Sequence, residues 1–120
     1  MKGKDLFREI LGIQVLEVKD GYAKLSLKIT KNHTNSLGAA HGGAIFALSD
    51  CAFAEAANYG DNVAVAVQVN INFLKPAFEG DILTAEAIRV SDGRKLGLYH
   101  VTITKQNKKI AFFSGLAFKT

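Results

Sequence analysis

The stretch His41–Asn58, HGGAIFALSDCAFAEAAN, constrains the fold of this chain more than any other. Ala, Ile, Leu and Phe occur around almost its whole circumference, and it holds no Pro and no Gly after Gly43. A helix that is apolar on every side belongs inside a protein rather than on its surface. Asp50 nevertheless sits in the middle of it, and a Gly-Gly pair opens it. A carboxylate on an apolar helix is costly unless it is paired, protonated or used. The rest of the chain must therefore surround this helix and leave the acid something to do.

The segments before the helix set up a sheet. Lys4 to Leu11 carries apolar residues at 6, 7, 10 and 11, the pattern of a short amphipathic helix that Gly12 ends. Ile13, Val15, Leu16 and Val18 lead into Asp20-Gly21, a strong hairpin signal. Tyr22 to Thr30 alternates cleanly, so one face of that strand is wet. Lys31 to Ala40 is polar and reads as a loop that delivers residues to the helix start.

After the helix, Val63 to Phe73 reads as a strand with Val63, Val65, Val67, Val69, Ile71 and Phe73 on one face. Ala64, Ala66, Gln68, Asn70 and Asn72 fall on the other, and Lys75-Pro76 marks the strand end. Ile82–Val90, Leu96–Thr104 and Ile110–Phe118 supply three more strands, separated by Asp92-Gly93 and by Gln106–Lys109. Short helix, two strands, long helix and four strands predict an α+β fold, an antiparallel sheet wrapped around the central helix. With no repeat, linker or low-complexity segment, residues 1–120 are expected to form a single domain.

Composition narrows the function. The net charge of +4 comes from dispersed lysines and arginines without interleaved aromatics, so no nucleic-acid partner is expected. No uncharged apolar run is long enough for a membrane span, and Met1–Ile13 lacks an apolar signal core, so a cytoplasmic location is expected. One cysteine, Cys51, and three scattered histidines have no metal-ligand spacing, so no metal is expected. Cys51 itself reads as a small core residue.

The chemistry concentrates at the helix. Free N–H groups at its start attract negative charge, and Gly42 and Gly43 let a ligand approach them closely. The same amides can stabilise an oxyanion, although tight helix packing would also explain the two glycines. Asp50 lies seven residues past Gly43, on the same helix face but about 10 Å away along the axis. A base and an oxyanion hole must reach one carbonyl, which one helix cannot do. Two helices antiparallel across a twofold axis can, so the spacing asks for a dimer. Asn35 and His41 are the remaining polar candidates near the helix start. Ser36 and Ser49 lack a nucleophile-elbow context, so no serine triad is expected.

The run Asn35-Ser36-Leu37-Gly38-Ala39-Ala40-His41-Gly42-Gly43, followed by Asp50 and an Ala-rich helix end, resembles the hotdog-fold acyl-CoA thioesterases of the phenylacetate-degradation type. The likeness extends to Asn72-Phe73-Leu74-Lys75-Pro76 and Gly80-Asp81. It implies a homodimer that completes the active site, often paired into a homotetramer. It also implies Asp50 as the catalytic carboxylate, acting as general base or nucleophile, and the Gly43 N–H of the partner subunit as the group that polarises the thioester. Asn35 and His41 would position water and substrate, with Gly42 beside them. Relatives that use a Ser or Thr on the next strand have no counterpart between Ala64 and Asn72, which leaves Gln68 or Asn70 for that role. Arg94 and Lys95 are candidates for the CoA phosphates. No cofactor is implied, because coenzyme A is part of the substrate. The implied reaction is hydrolysis of an aryl- or medium-chain acyl-CoA. The alternatives on the same fold are a non-catalytic protein that binds or senses acyl-CoA, and a hydratase or dehydratase, which lacks a second acid–base histidine on the helix.

Overall fold

The computed structural model describes residues 2–120. The elements run α1 (Leu6–Leu11), β1 (Gln14–Lys19), β2 (Tyr22–Lys28), a 3-10 turn (Lys31–His33), α2 (Gly42–Ala57), β3 (Ala64–Phe73), β4 (Ile82–Asp92), β5 (Leu96–Lys105) and β6 (Lys108–Lys119). The six strands form one antiparallel sheet in the order β1-β2-β4-β5-β6-β3, curled around α2. The sheet wrapped on one long helix is the expected fold, and element boundaries shift by one or two residues.

Local chemistry explains the elements. The Asp5 carboxylate accepts the Arg8 N–H and caps α1, and Gly12 closes that helix in the left-handed region at φ 80°. Gly21 makes the β1–β2 turn at φ 72°, and a side chain there would strike the Arg89 guanidinium. The β5–β6 turn is tighter than the sequence suggests. Gln106 and Asn107 both have positive φ, the geometry of a two-residue hairpin turn whose twist matches the strands.

The inner face of the sheet is apolar and packs on α2. Leu25 and Leu27 from β2, Leu83 and Ala85 from β4, Val101 and Ile103 from β5, and Phe113 from β6 are all buried. From the helix, Leu48 and Ala52 are wholly buried and Phe53 nearly so. The Phe53 ring meets Tyr99 at 5.4 Å and Phe113 at 5.7 Å between centroids. This aromatic cluster fixes the rotation of α2 about its own axis and so decides which helix residues stay near solvent.

One expectation about β3 is corrected. Ala66 pairs with Ala117 and Gln68 with Leu116, so Val67 is an extra residue bulged out of the ladder. A single extra residue reverses the facing of everything beyond it. Val69, Ile71 and Phe73 pair with Gly115, Phe113 and Ala111 on the helix side, and on that side they are joined by Ala64 and Ala66. Val65 moves to the outer face, opposite Phe118, together with Gln68, Asn70 and Asn72.

Candidate active site

α2 turns one stripe away from the sheet. Gly43 is exposed and Phe46, Asp50, Ala54 and Glu55 are half-buried, whereas the intervening residues are buried. Gly43 and Asp50 thus share a face, as their spacing requires, two helical turns apart. Asp50 opens into a cavity of about 140 Å³ walled by Phe53, Ala54, Ala57, Asn58, Ala64, Ala66 and Ala117. The alanines matter because each leaves room that a larger side chain would fill. The β3 bulge contributes by bringing Ala64 and Ala66 to this side.

The carboxyl of Asp50 is pushed up from the ordinary aspartate range, first by burial among these apolar groups and second by the negative charge of Asp5. Sequence left burial and the helix dipole opposed; within one protomer, burial prevails. Asp5 stands at the start of α1, with its second carboxylate oxygen 3.8 Å from the Cys51 thiol. Burial pushes that thiol up to about 12, and it stays a neutral core group rather than a nucleophile.

At the helix start, His41 is the N-cap residue, and its Nδ1 accepts the Gly43 N–H at 2.8 Å. An accepting Nδ1 carries no proton, so the neutral ring holds its proton on Nε2. Gly42 N–H has no acceptor among the described residues. The amide singled out for an oxyanion is therefore capped by its own histidine in the free protomer, with its neighbour open. Gly42 also lines an apolar cleft of about 300 Å³ with Ile45, Phe73, Leu74, Lys75 and Pro76. Phe73 lies close enough that a Cβ on Gly42 would come within 3.3 Å of its ring.

Asn35 anchors the loop that leads here. Its Oδ1 accepts the N–H groups of Leu37 at 2.9 Å and Ala39 at 3.1 Å. With the oxygen so used, the Nδ2 group is left as a donor. His33, which sequence inspection passed over, ties this loop down. Its Nε2 bonds the Leu11 carbonyl at 2.9 Å, its Nδ1 accepts the Thr30 N–H at 2.9 Å, and its carbonyl accepts the His41 N–H at 2.7 Å.

The structure gathers Asn35, His41, Gly42 and Gly43 at one end of α2 and leaves Asp50 two turns away. It does not bring Gln68 or Asn70 to that helix: both lie on the outer face of the sheet, paired with Leu116 and Ser114. The helix-side residues at that level of β3 are Ala66 and Val69, neither of which offers a hydroxyl. Arg94 and Lys95 are exposed in the β4–β5 turn, and Lys95 Nζ stands 5.8 Å from the Phe118 ring centroid. A larger bowl of about 380 Å³ opens beyond Ala57, Ala64 and Ala117. Its charges are largely paired with one another, Arg89 with Asp20 and Lys119 with Asp92, so it is a weaker candidate for chemistry than the smaller Asp50 cavity.

Residues 37–111, which include Gly42, Gly43 and Asp50, match the model of the thioesterase superfamily. The chain belongs to that family. This thioesterase is 37% identical to the acyl-coenzyme A thioesterase PaaI of Escherichia coli over 96% of its own length and 83% of that protein. Its structure superposes on the TT0310 protein from Thermus thermophilus with a TM-score of 0.95 at 34% identity, covering 98% of this chain and all of the other. It also superposes on smu.793 from Streptococcus mutans UA159 bound to acetyl CoA, with a TM-score of 0.86 at 29% identity, covering 90% of this chain and 88% of that one. The fold is the hotdog fold of these thioesterases, and the protein is an enzyme of thioester hydrolysis. No helix among the described residues is long and apolar enough to cross a membrane.

Proposed function

We propose that this thioesterase hydrolyses an aryl- or medium-chain acyl-CoA to the free acid and CoA, at a site shared by two copies of the chain. The observation that carries the proposal is the placement of Asp50 and Gly43 on one stripe of α2 turned away from the sheet, two helical turns apart and so too far from each other to serve one carbonyl. An antiparallel second helix would bring the Asp50 of one protomer to the Gly43 of the other. The edge strand β3 supports a second copy. Val65 and Val67 are about half exposed, at 51% and 54%, on a strand whose outer edge has no partner among the described residues. The S. mutans relative bound to acetyl CoA supports an acyl-CoA ligand.

In this reading Asp50 takes a proton from water as the water oxygen attacks the thioester carbon. The charge that develops on the carbonyl oxygen falls on the N–H groups of Gly42 and Gly43 of the partner subunit, the oxygen replacing His41 Nδ1 as acceptor. Asn35 Nδ2 donates to the water or to the carbonyl. Collapse breaks the carbon–sulfur bond, and the leaving thiolate receives the proton held by Asp50. A carboxylate pushed up by burial is a stronger base than an exposed aspartate, which suits it to take a proton from water. No cofactor enters the reaction beyond the CoA of the substrate. Arg94 and Lys95 remain the proposed phosphate contacts, and pairing of two dimers into a tetramer is part of the same proposal. The reading places the enzyme in the cytoplasm, where CoA thioesters are made.

Thiol release from a panel of aryl- and fatty-acyl-CoAs tests the proposal, comparing native protein with Asp50→Asn. Turnover that the variant loses by about two orders of magnitude or more supports it. Binding of several acyl-CoAs with no turnover of any would establish the sensing alternative instead.

A further inference from the structure

The Asp50 cavity and the larger bowl of about 380 Å³ have walls in common. Ala57, Ala64 and Ala117 line both. Alanine on each of the three elements leaves the passage between the two unfilled. Ala57 follows Asp50 by about two helical turns, so the bowl begins about 10 Å along the helix axis from Asp50. Three bonds of an extended chain span about 3.8 Å, which makes that distance about eight bonds.

The bowl also holds a polar group whose bonding is incomplete. Tyr99 is 4% exposed, and its ring lies beside Gly97, where a Cβ would stand 3.1 Å from Cε1 and 3.7 Å from the hydroxyl oxygen. The side chain missing at Gly97 makes room for that hydroxyl at the wall of the bowl, which both residues line. Arg89, the cross-strand neighbour of Tyr99, approaches the hydroxyl oxygen while holding Asp20 at 3.2 and 3.3 Å. An oxygen that faces a guanidinium accepts, so the phenol proton is left to donate, and it has no acceptor among the described residues. A donor so placed is met by water or by a ligand. We propose that the bowl is the far end of the acyl site and takes the terminal hydroxyl of an ω-hydroxyacyl chain of about eight to ten carbons, which accepts from Tyr99. The inference rests on the hydrolysis proposed above and names its acyl group.

The charges of the bowl choose among chain ends. Asp20, Asp61 and Asp92 outnumber Arg89 and Lys119 there, and both cations are already paired. A carboxylate at the chain end would meet a net negative charge. A methyl end would strip water from the Tyr99 hydroxyl and the ion pairs and return no hydrogen bond. A hydroxyl carries no charge, accepts from Tyr99 and keeps a proton to donate to a carboxylate of the rim.

Thiol release from decanoyl-CoA and ω-hydroxydecanoyl-CoA, and from hexanoyl-CoA and ω-hydroxyhexanoyl-CoA, tests this. In the native protein kcat/KM for the longer hydroxy chain should exceed that for its plain counterpart by about five-fold or more. The shorter pair should show no such preference, because a hydroxyl about 8 Å from the thioester carbon stops short of the bowl. Tyr99→Phe removes one oxygen and keeps the ring against Phe53, so the ratio for the longer pair should fall toward one. A merely structural loss would slow both chains alike and leave that ratio unchanged. Ala64→Leu fills the passage and should slow the longer chains more than hexanoyl-CoA. The inference is overturned by a native protein with no preference in the longer pair, by an equal preference in the shorter pair, or by a native ratio in folded Tyr99→Phe. In each of those cases turnover of the plain chains leaves the hydrolysis standing. A protein that hydrolyses none of the four loses both proposals.

Discussion

Gly115 offers a sharp test of how the sheet holds the helix. It lies on the inner face of β6, between Tyr99 and Val69, directly beneath the Phe53 ring. A Cβ at this position would stand 2.9 Å from Phe53 Cζ, 3.0 Å from Phe53 Cε1 and 3.0 Å from Phe113 Cε1. Carbon atoms rest at about 3.5–4.0 Å, so the rings must retreat by roughly half an ångström or more. Phe53 cannot do so freely, since it is 2% exposed and wedged between Tyr99 and Phe113. Overpacking of this kind costs about 1–3 kcal/mol. The smaller chain entropy that alanine loses returns about 0.5–1 kcal/mol. Gly115→Ala should therefore be less stable by about 1 kcal/mol, the middle of that range, with Tm lower by about 4 °C at fixed protein concentration. Urea unfolding should show a lower midpoint at unchanged slope. Because Phe53 also walls the Asp50 cavity, KM for bulky acyl groups should rise more than KM for short ones. A variant as stable as the native protein would refute the claim that this aromatic wedge fixes α2.

Other consequences follow from the same geometry. Asp50 is raised in the folded protein, so its charge opposes folding at pH above that folded value, and the penalty disappears below the ordinary aspartate range. Asp50→Asn should thus be more stable than native at pH 7, with the advantage vanishing on acidification, as thermal unfolding across pH will show. Asp81 behaves oppositely. The Phe78 N–H and the Lys105 ammonium hold its carboxyl below the usual range, so its contribution is present at neutral pH and lost as pH falls through the folded value. Asp81→Asn should flatten that acid dependence, measured by urea midpoints from pH 7 downward. Gly12 caps α1 at φ 80° with open space around it, so Gly12→Ala meets only backbone strain and should lose about 1 kcal/mol.

Much of this molecule is written in local pattern. The Asp20-Gly21 turn, the alternation of Tyr22–Lys28 and the apolar run of α2 each reflect interactions within a few residues, and all three appear where the pattern puts them. The faces of β3 were not legible, because Val65-Ala66-Val67 alternates between two residue types that suit either face, and nothing local marks Val67 as the extra one. Gln68 and Asn70 came forward from the resemblance, as the polar residues where relatives carry Ser or Thr, and nothing local showed that both face away from α2. Gly43 and Asp50 were legible because helical spacing alone puts them on one face. The influence of Asp5 on Asp50 was not, since α1 and the middle of α2 meet only through packing across the fold. The His41 cap on Gly43 lay within reach of sequence, as a polar residue immediately before a helix is a capping signal.

The shared site is tested most directly by mixing two inactive proteins. Asp50→Asn lacks the base, and Gly43→Pro lacks the amide while keeping a residue that the first helical turn tolerates. Each alone should be inactive and folded by circular dichroism. Unfolded and refolded together in equal amounts, they form about half mixed dimers, each with one intact site, so activity should return to about a quarter of native. A mixture that stays as inactive as its components would contradict the account, for it would mean that the carboxylate and the amides of a working site come from one chain.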